Sequence, residues 1–189
     1  MGYTITPEIQ AYANKASAIS GVPQSVILGQ AIYESMLGRS NLAKKANNWF
    51  GIKGSGTAGT YNGTWAAYSS PADSFAAYGN LMTKSRYASK IQAAKAENTD
   101  SAYIKAIVSG GYCPDNGYAE AVLKIIKDNN LDQYNTGGTT TGTITSTGVT
   151  QPGFGIQLPS LKSIVSVVFC IGCVALAIFF LYAAFAEVV

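Results

Sequence analysis

The run Ala31-Ile32-Tyr33-Glu34-Ser35-Met36-Leu37-Gly38-Arg39-Ser40, followed at once by Asn41-Leu42-Ala43, decides how the rest of the chain is read. Glu34 is the only acidic residue between Glu8 and Asp73. The stretch before it, Val26-Ile27-Leu28-Gly29-Gln30-Ala31-Ile32-Tyr33, spaces its apolar residues as a buried helix does. A carboxylate at the end of such a helix is partly desolvated, and its pKa rises. That is the state a general acid needs near neutral pH. A helix-end glutamate bonded to nearby backbone would read the same way here, so both readings stand at this point.

Working outward, Thr6-Pro7-Glu8 starts a helix, with Thr6 as N-cap and Pro7 in the first turn, and Ser20-Gly21 stops it after about Ala18. Gly21-Val22-Pro23 turns the chain into the central helix, expected from Gln24 to about Leu37 and ended by Gly38. Ser40 caps a short helix from Asn41 to Ala46. Glycines at 51, 54, 56, 59 and 63 then change the texture, and Asn62-Gly63 is a hairpin-turn signal, so residues 50–68 are expected to form a small β-hairpin lobe. Ser70-Pro71-Ala72-Asp73 caps the next helix, which makes Asp73 a capping residue ahead of a catalyst. Phe75, Tyr78, Leu81 and Met82 give that helix its apolar face. Short helices are expected near 88–96 and 99–108. A last one runs from Tyr118 to about Asn129, with Val122, Ile125 and Ile126 inward. The fold class is α+β, mainly α.

Composition closes off several chemistries. Among 189 residues there is no histidine, which removes Ser-His-Asp and Cys-His catalysis and the commonest metal ligand. Cys113, Cys170 and Cys173 make no metal site, and the Cys170/Cys173 pair lies in an apolar run where small polarizable residues pack well. No cofactor is called for. Net charge is +3, too small a basic balance for a nucleic-acid partner.

Three segments are expected: a domain over 1–134, a linker over 135–160 and an apolar segment over 161–189. Met1-Gly2-Tyr3-Thr4 has neither a basic n-region nor an apolar h-region, so no secretory signal is expected. Residues 135–148 are rich in Thr and Gly and free of charge, a composition that buries no core. No charge occurs from Ser163 to Ala186, and twenty-four uncharged residues at 1.5 Å rise reach across a bilayer. One transmembrane helix over 161–189 is the expectation, with the lipid bilayer as partner.

Three groups of residues together carry a family resemblance. They are Gly21-Val22-Pro23, then Ala31-x-x-Glu34-Ser35-x-x-Gly38-x-Ser40-x-Leu42-Ala43, then Asn47-Asn48-x-Phe50-Gly51-Ile52-Lys53. The pattern resembles glycoside hydrolase family 73, the N-acetylglucosaminidases with a lysozyme-like core that cleave peptidoglycan glycan strands. The likeness continues through Tyr68, Ser74-Phe75 and Tyr118-Ala119 and fades after Tyr134. It implies a lysozyme-like helical core with the β-lobe as one wall of a saccharide cleft. It makes Glu34 the general acid, places Tyr118 beside it, and makes Asn48, Phe50, Gly51 and Lys53 cleft-wall contacts. Trp49, Tyr61, Trp65 and Tyr68 gather aromatic faces for sugar rings. Trp65 and Tyr68 are expected to touch substrate, and one or two of the four to fill the lobe instead. Ser35 and Ser40 are expected to order the backbone around Glu34.

The family often adds a carboxylate in the lobe, and Gly59 stands at that position, in a stretch from 35 to 72 without any Asp or Glu. Two-carboxylate hydrolysis needs such a group. Attack by the substrate's own N-acetyl group, transglycosylation with Glu34 as acid and then base, or a distant Asp73 or Asp115 are the accounts left open. The expected role is an enzyme on peptidoglycan, against a catalytically dead wall-binding module or a structural membrane protein. The expected setting is the internal membrane of a lipid-containing phage virion, acting at entry, or a bacterial cell membrane.

Overall fold

The computed structural model describes residues 2–135, so all but the first residue of the expected linker, and the whole apolar segment 161–189, lie outside the described residues. Among the described residues no helix is long and apolar enough to cross a membrane. The elements are α1 (Pro7–Ser20), α2 (Gln24–Ser35), α3 (Asn41–Ala46), β1 (Thr60–Tyr61), β2 (Trp65–Ala66), α4 (Pro71–Met82), α5 (Ser85–Glu97), α6 (Asp100–Ser109) and α7 (Tyr118–Asp128). A 3-10 turn, Leu131–Tyr134, follows them and was not expected from the sequence.

The caps fall where the residue types put them. Thr6 Oγ1 accepts from Ile9 N, Ser40 Oγ from Ala43 N and Ser70 Oγ from Asp73 N, each satisfying a donor that the first helical turn leaves orphaned. α1 runs two residues past the expected Ala18, to Ser20. α5 begins at Ser85, three residues before its expected start.

α2 is the centre of the domain, packed on α7, α1, α6 and the 3-10 turn. Ten of its twelve residues are buried. Gly29 permits the close approach of α7, since a Cβ there would stand 2.8 Å from Ile126 Cγ1. Val122 and Ile126 are therefore the inward residues of α7, and Ile125 is only half-buried.

The end of α2 corrects the sequence reading. The helix stops at Ser35, because Met36 and Leu37 both take left-handed backbone, with φ of 52° and 56°. Ser35 makes this possible. Its hydroxyl donates to Ala31 O at 2.7 Å and accepts from Gly38 N at 3.0 Å, while its carbonyl accepts from Arg39 N and Ser40 N. Every backbone N–H from Met36 to Ser40 finds an acceptor, and Glu34 is left in the last helical turn.

The lobe is smaller than a full hairpin. β1 and β2 pair antiparallel with Thr60 opposite Ala66 and Tyr61 opposite Trp65, and Asn62-Gly63 turns between them with φ of 50° and 68°. It is fastened to the helices by Tyr68 N donating to Ala46 O and by Asn47 Nδ2 donating to Tyr68 O. Beneath it the Phe50 ring stacks on Tyr78 with centroids 4.5 Å apart, and Phe75 stands edge-on to both Phe50 and Trp49.

Candidate active site

Glu34 is half-buried on the wall of a cleft of about 530 Å³ between the lobe and the helices. Gly51 and Lys53 come to it from the lobe, Leu81 and Arg86 from α4 and α5, Tyr112 and Cys113 from the loop after α6. The lobe backbone reaches the acid at Gly51, where a Cβ would lie 3.7 Å from Glu34 Oε2, and its φ of 62° favours glycine.

Burial raises the pKa of Glu34, and a hydrogen bond from Tyr118 pulls it part of the way back. Tyr118 opens α7 and is fully buried; burial and the neighbouring carboxylate push its hydroxyl far above the ordinary tyrosine range. It stays a phenol, able to donate.

Behind it stands a relay. Gln30 Nε2 donates to Tyr118 Oη at 2.8 Å, and Gln30 Oε1 accepts from the Tyr78 hydroxyl. All three side chains are fully buried. A phenol that accepts from an amide has its own O–H free to donate, so Tyr118 gives Glu34 a hydrogen bond while keeping its proton. The reverse orientation of the Gln30 amide would turn the Tyr118 proton away from the carboxylate. One helical turn separates Gln30 from Glu34, which puts both on the same side of α2.

Among the described residues Glu34 is the only acid that lines the cleft. Asp73 lies in the first turn of α4, where its N–H donates to the Ser70 cap; its carboxylate accepts from Thr57 Oγ1 at 3.3 Å, and it lies with Tyr68 against a separate hollow. Asp115 holds Gly117 N at 2.9 Å, and its charge is felt by Tyr33 rather than in the cleft wall. Gly59 has φ of 87°, a conformation that a carboxylate-bearing residue would adopt only under strain. The cleft's cations each lie on an aromatic face. Lys53 Nζ is 5.7 Å from the Trp65 ring centroid, and Arg86 Cζ is 4.6 Å from that of Tyr87. The one ion pair among the described residues joins Lys124 to Asp128, so neither cleft cation has a carboxylate partner there.

Not every residue expected at the site is in it. Asn48 is buried, with Nδ2 donating to Ile52 O and Ala66 O and Oδ1 accepting from Ile52 N. It braces the lobe, is buried and does not line the cleft, which corrects the expected contact. Tyr68 is 5% exposed and faces the separate hollow, so its expected sugar contact is also corrected. The Phe50 ring belongs to the core, although its carbonyl accepts from Tyr112 Oη at 3.0 Å on the cleft wall. Trp65 lies beside Gly51, its Cζ3 3.9 Å from where a Cβ there would sit. Trp49 fills the lobe base against Phe75. Gln30, Tyr78, Leu81, Arg86 and Tyr112 were missed. Only Gln30, a lone amide in an apolar helix one turn before the acid, had a signal to find.

Residues 10–131 match the glucosaminidase family, described as mannosyl-glycoprotein endo-beta-N-acetylglucosaminidase. The match takes in well over half of the chain, and the chain belongs to this family, glycoside hydrolase family 73. It is similar to exo-glucosaminidase LytG of Bacillus subtilis strain 168, with 28% identity over 131 residues, 58% of this chain and 45% of that protein. It thus spans less than half the length of that curated relative. Among solved structures it resembles the catalytic domain of the autolysin Auto from Listeria monocytogenes (27% identity, TM-score 0.55, 67% of this chain and 83% of that one). It also resembles a peptidoglycan hydrolase from Sphingomonas sp. A1 (30% identity, TM-score 0.52, 66% and 86%).

Proposed function

We propose that the domain is a glycosidase that cuts the β-1,4 glycan strand of peptidoglycan between GlcNAc and MurNAc, in the manner of an endo-N-acetylglucosaminidase. The observation that carries the reading is a single acid in the cleft wall, kept toward its neutral form by burial and aimed by Tyr118. Glu34 gives its proton to the glycosidic oxygen as the bond to the anomeric carbon breaks. With no second carboxylate in the wall, the nucleophile comes from the substrate. The N-acetyl carbonyl oxygen attacks the anomeric carbon, and water, deprotonated by Glu34, opens the resulting ring. The same one-acid cleft favours a second reading, a lytic transglycosylase. There the cut falls after MurNAc, and the 6-hydroxyl closes on the anomeric carbon after losing its proton to Glu34.

Mass spectrometry of fragments released from purified peptidoglycan by the full chain tests this beside Glu34→Gln. The variant is expected to lose roughly 10²–10⁴-fold in rate. Reducing GlcNAc ends name the hydrolase and 1,6-anhydro-MurNAc ends the transglycosylase. Binding without release by the folded chain would identify a wall-anchoring module.

The domain is further proposed to work tethered to a membrane through 161–189, on a reach set by the 26-residue linker. Local opening of a wall, as in phage entry or bacterial wall remodelling, suits that arrangement. Alkaline extraction of the full chain from membranes, beside a truncation at 160, decides the tether. Its presence in purified virions decides the setting.

A further inference from the structure

The two residues of α2 that are not buried are Tyr33 and Glu34. Two positions on comes Met36, turned outward by its left-handed backbone. Among the described residues the exposed large apolar side chains are Tyr33, at 39%, and Met36, at 51%. Scattered apolar residues on a surface need no explanation, but these flank the acid in sequence, Tyr33 one residue before it and Met36 two after. Neither lines the cleft that holds Lys53 and Arg86. Glu34 therefore stands on the border between that cleft and a second, apolar surface.

The surface is held in shape. The Tyr33 ring packs edge-on against Tyr118, with centroids 4.8 Å apart and planes at 78°, which spends an edge contact and fixes the ring. Tyr118 is the residue that aims Glu34, so ring and acid share one support. Met36 and Leu37 hold consecutive left-handed conformations at a cost of about 1–2 kcal/mol each, and the Ser35 bonds maintain them. A rigid aromatic face and a pliant thioether match the apolar C–H face of a pyranose ring.

We infer that Tyr33 and Met36 form a second saccharide subsite, which takes an N-acetylhexosamine ring of the same glycan strand whose neighbouring sugars fill the cleft. This rests on the glycosidase reading of Glu34 and extends it. Sugars held in both places put the scissile bond inside the strand, so the domain cuts internally rather than trimming from an end. The surface is continuous with the catalytic acid, which favours the substrate itself as occupant over a second copy of the chain.

The three methionines, Met1, Met36 and Met82, make a direct test, because Met36 is exposed and Met82 fully buried. The full-length Glu34→Gln chain in detergent, labelled at its methionine methyls, is titrated with peptide-free glycan fragments from disaccharide to octasaccharide. The Met36 signal is assigned by Met36→Leu. The octasaccharide is expected to shift the Met36 methyl and leave Met82 in place, while the disaccharide shifts neither. Tyr33→Ala and, as a variant that does not touch Tyr118, Met36→Ser are expected to weaken octasaccharide binding roughly tenfold while disaccharide binding holds. Octasaccharide binding with Met36 unmoved, or with both variants at parental affinity, overturns the subsite while fragment release by the Glu34 enzyme leaves the glycosidase standing. A Met36 shift that follows protein concentration and ignores glycan assigns the surface to a second copy. Absence of both glycan binding and fragment release removes the glycosidase reading and the subsite with it.

Discussion

At the scale of residues, Glu34 is balanced between burial, which raises its pKa, and the Tyr118 hydrogen bond, which lowers it. The sign of a Tyr118→Phe change follows. Loss of the donor lets the Glu34 pKa rise further, and a general acid works only until pH passes its pKa. The alkaline limb of the kcat profile should therefore move to higher pH. The maximal rate should drop roughly 10- to 150-fold, since a hydrogen bond to a charged group is worth about 1.5–3 kcal/mol. A limb that stays in place or moves down would remove Tyr118 from the acid's control. Gln30→Leu should move the limb the same way but less, because Tyr118 keeps its proton while losing the partner that aims it. It leaves the buried Tyr78 and Tyr118 hydroxyls each short of a bond, so stability should also drop, by about 1–3 kcal/mol in urea unfolding.

At the scale of elements, the lobe shows where sequence reading succeeds and where it stops. Its turn was legible, because Asn62-Gly63 must take positive φ, and the caps at Thr6, Ser40 and Ser70 were legible for similarly local reasons. The acid at the end of α2 was legible from its apolar context and its motif. The role of Asn48 was not, because one of its partners, Ala66, lies eighteen residues on, and only the folded lobe brings the two together. Arg86 was hidden for a related reason, since the α5 pattern carries no mark of the cleft that its first turn borders. The early end of α2 needed the Ser35 bonds to be seen. Asn48→Ala should expose this difference. It leaves Ile52 N without its acceptor and takes a donor from Ala66 O, while Ile52 O keeps Ala66 N, at a cost of about 3 kcal/mol, and Tm should drop by roughly 10 °C. Gly51 and Lys53 hang on the same loop, so activity should decline at temperatures where the chain is still folded. A variant with parental Tm and activity lost at every temperature would return Asn48 to the substrate-contact role its motif suggests.

At the scale of the whole domain, the chain closes on itself at Asp100. Ser25 Oγ, at the start of α2, donates to Asp100 Oδ1 at 2.7 Å, and Ser25 N donates to Asn135 Oδ1 at 2.8 Å. Asp100, Asn135 and Asp132 of the 3-10 turn are hydrogen-bonded to one another across this junction. The beginnings of α2 and α6 and the end of the domain therefore meet at one half-buried carboxylate. Burial and the neighbouring Asp132 carboxylate push the Asp100 pKa up to about 6, against 3.8 for an ordinary aspartate, while Ser25 and Asn135 pull against them. A raised acid has the opposite consequence from the usual salt-bridged one. Between about pH 4 and pH 6 the folded domain holds a proton that the unfolded chain has already lost, so stability is greatest below that window and declines as pH rises through it. Because Asp100 is about half exposed, screening reduces the effect at neutral pH to about 1 kcal/mol. Asp100→Asn keeps an acceptor for Ser25 and gives Asp132 a permanent donor. It should raise Tm at pH 7 by roughly 3 °C and flatten the decline between pH 4 and 6 in thermal melts of the full chain. A lower Tm at pH 7 with the decline intact would mean that the charge at Asp100 supports the junction, and that the start of α6 gains more from an anion in its first turn than the Asp132 contact takes away.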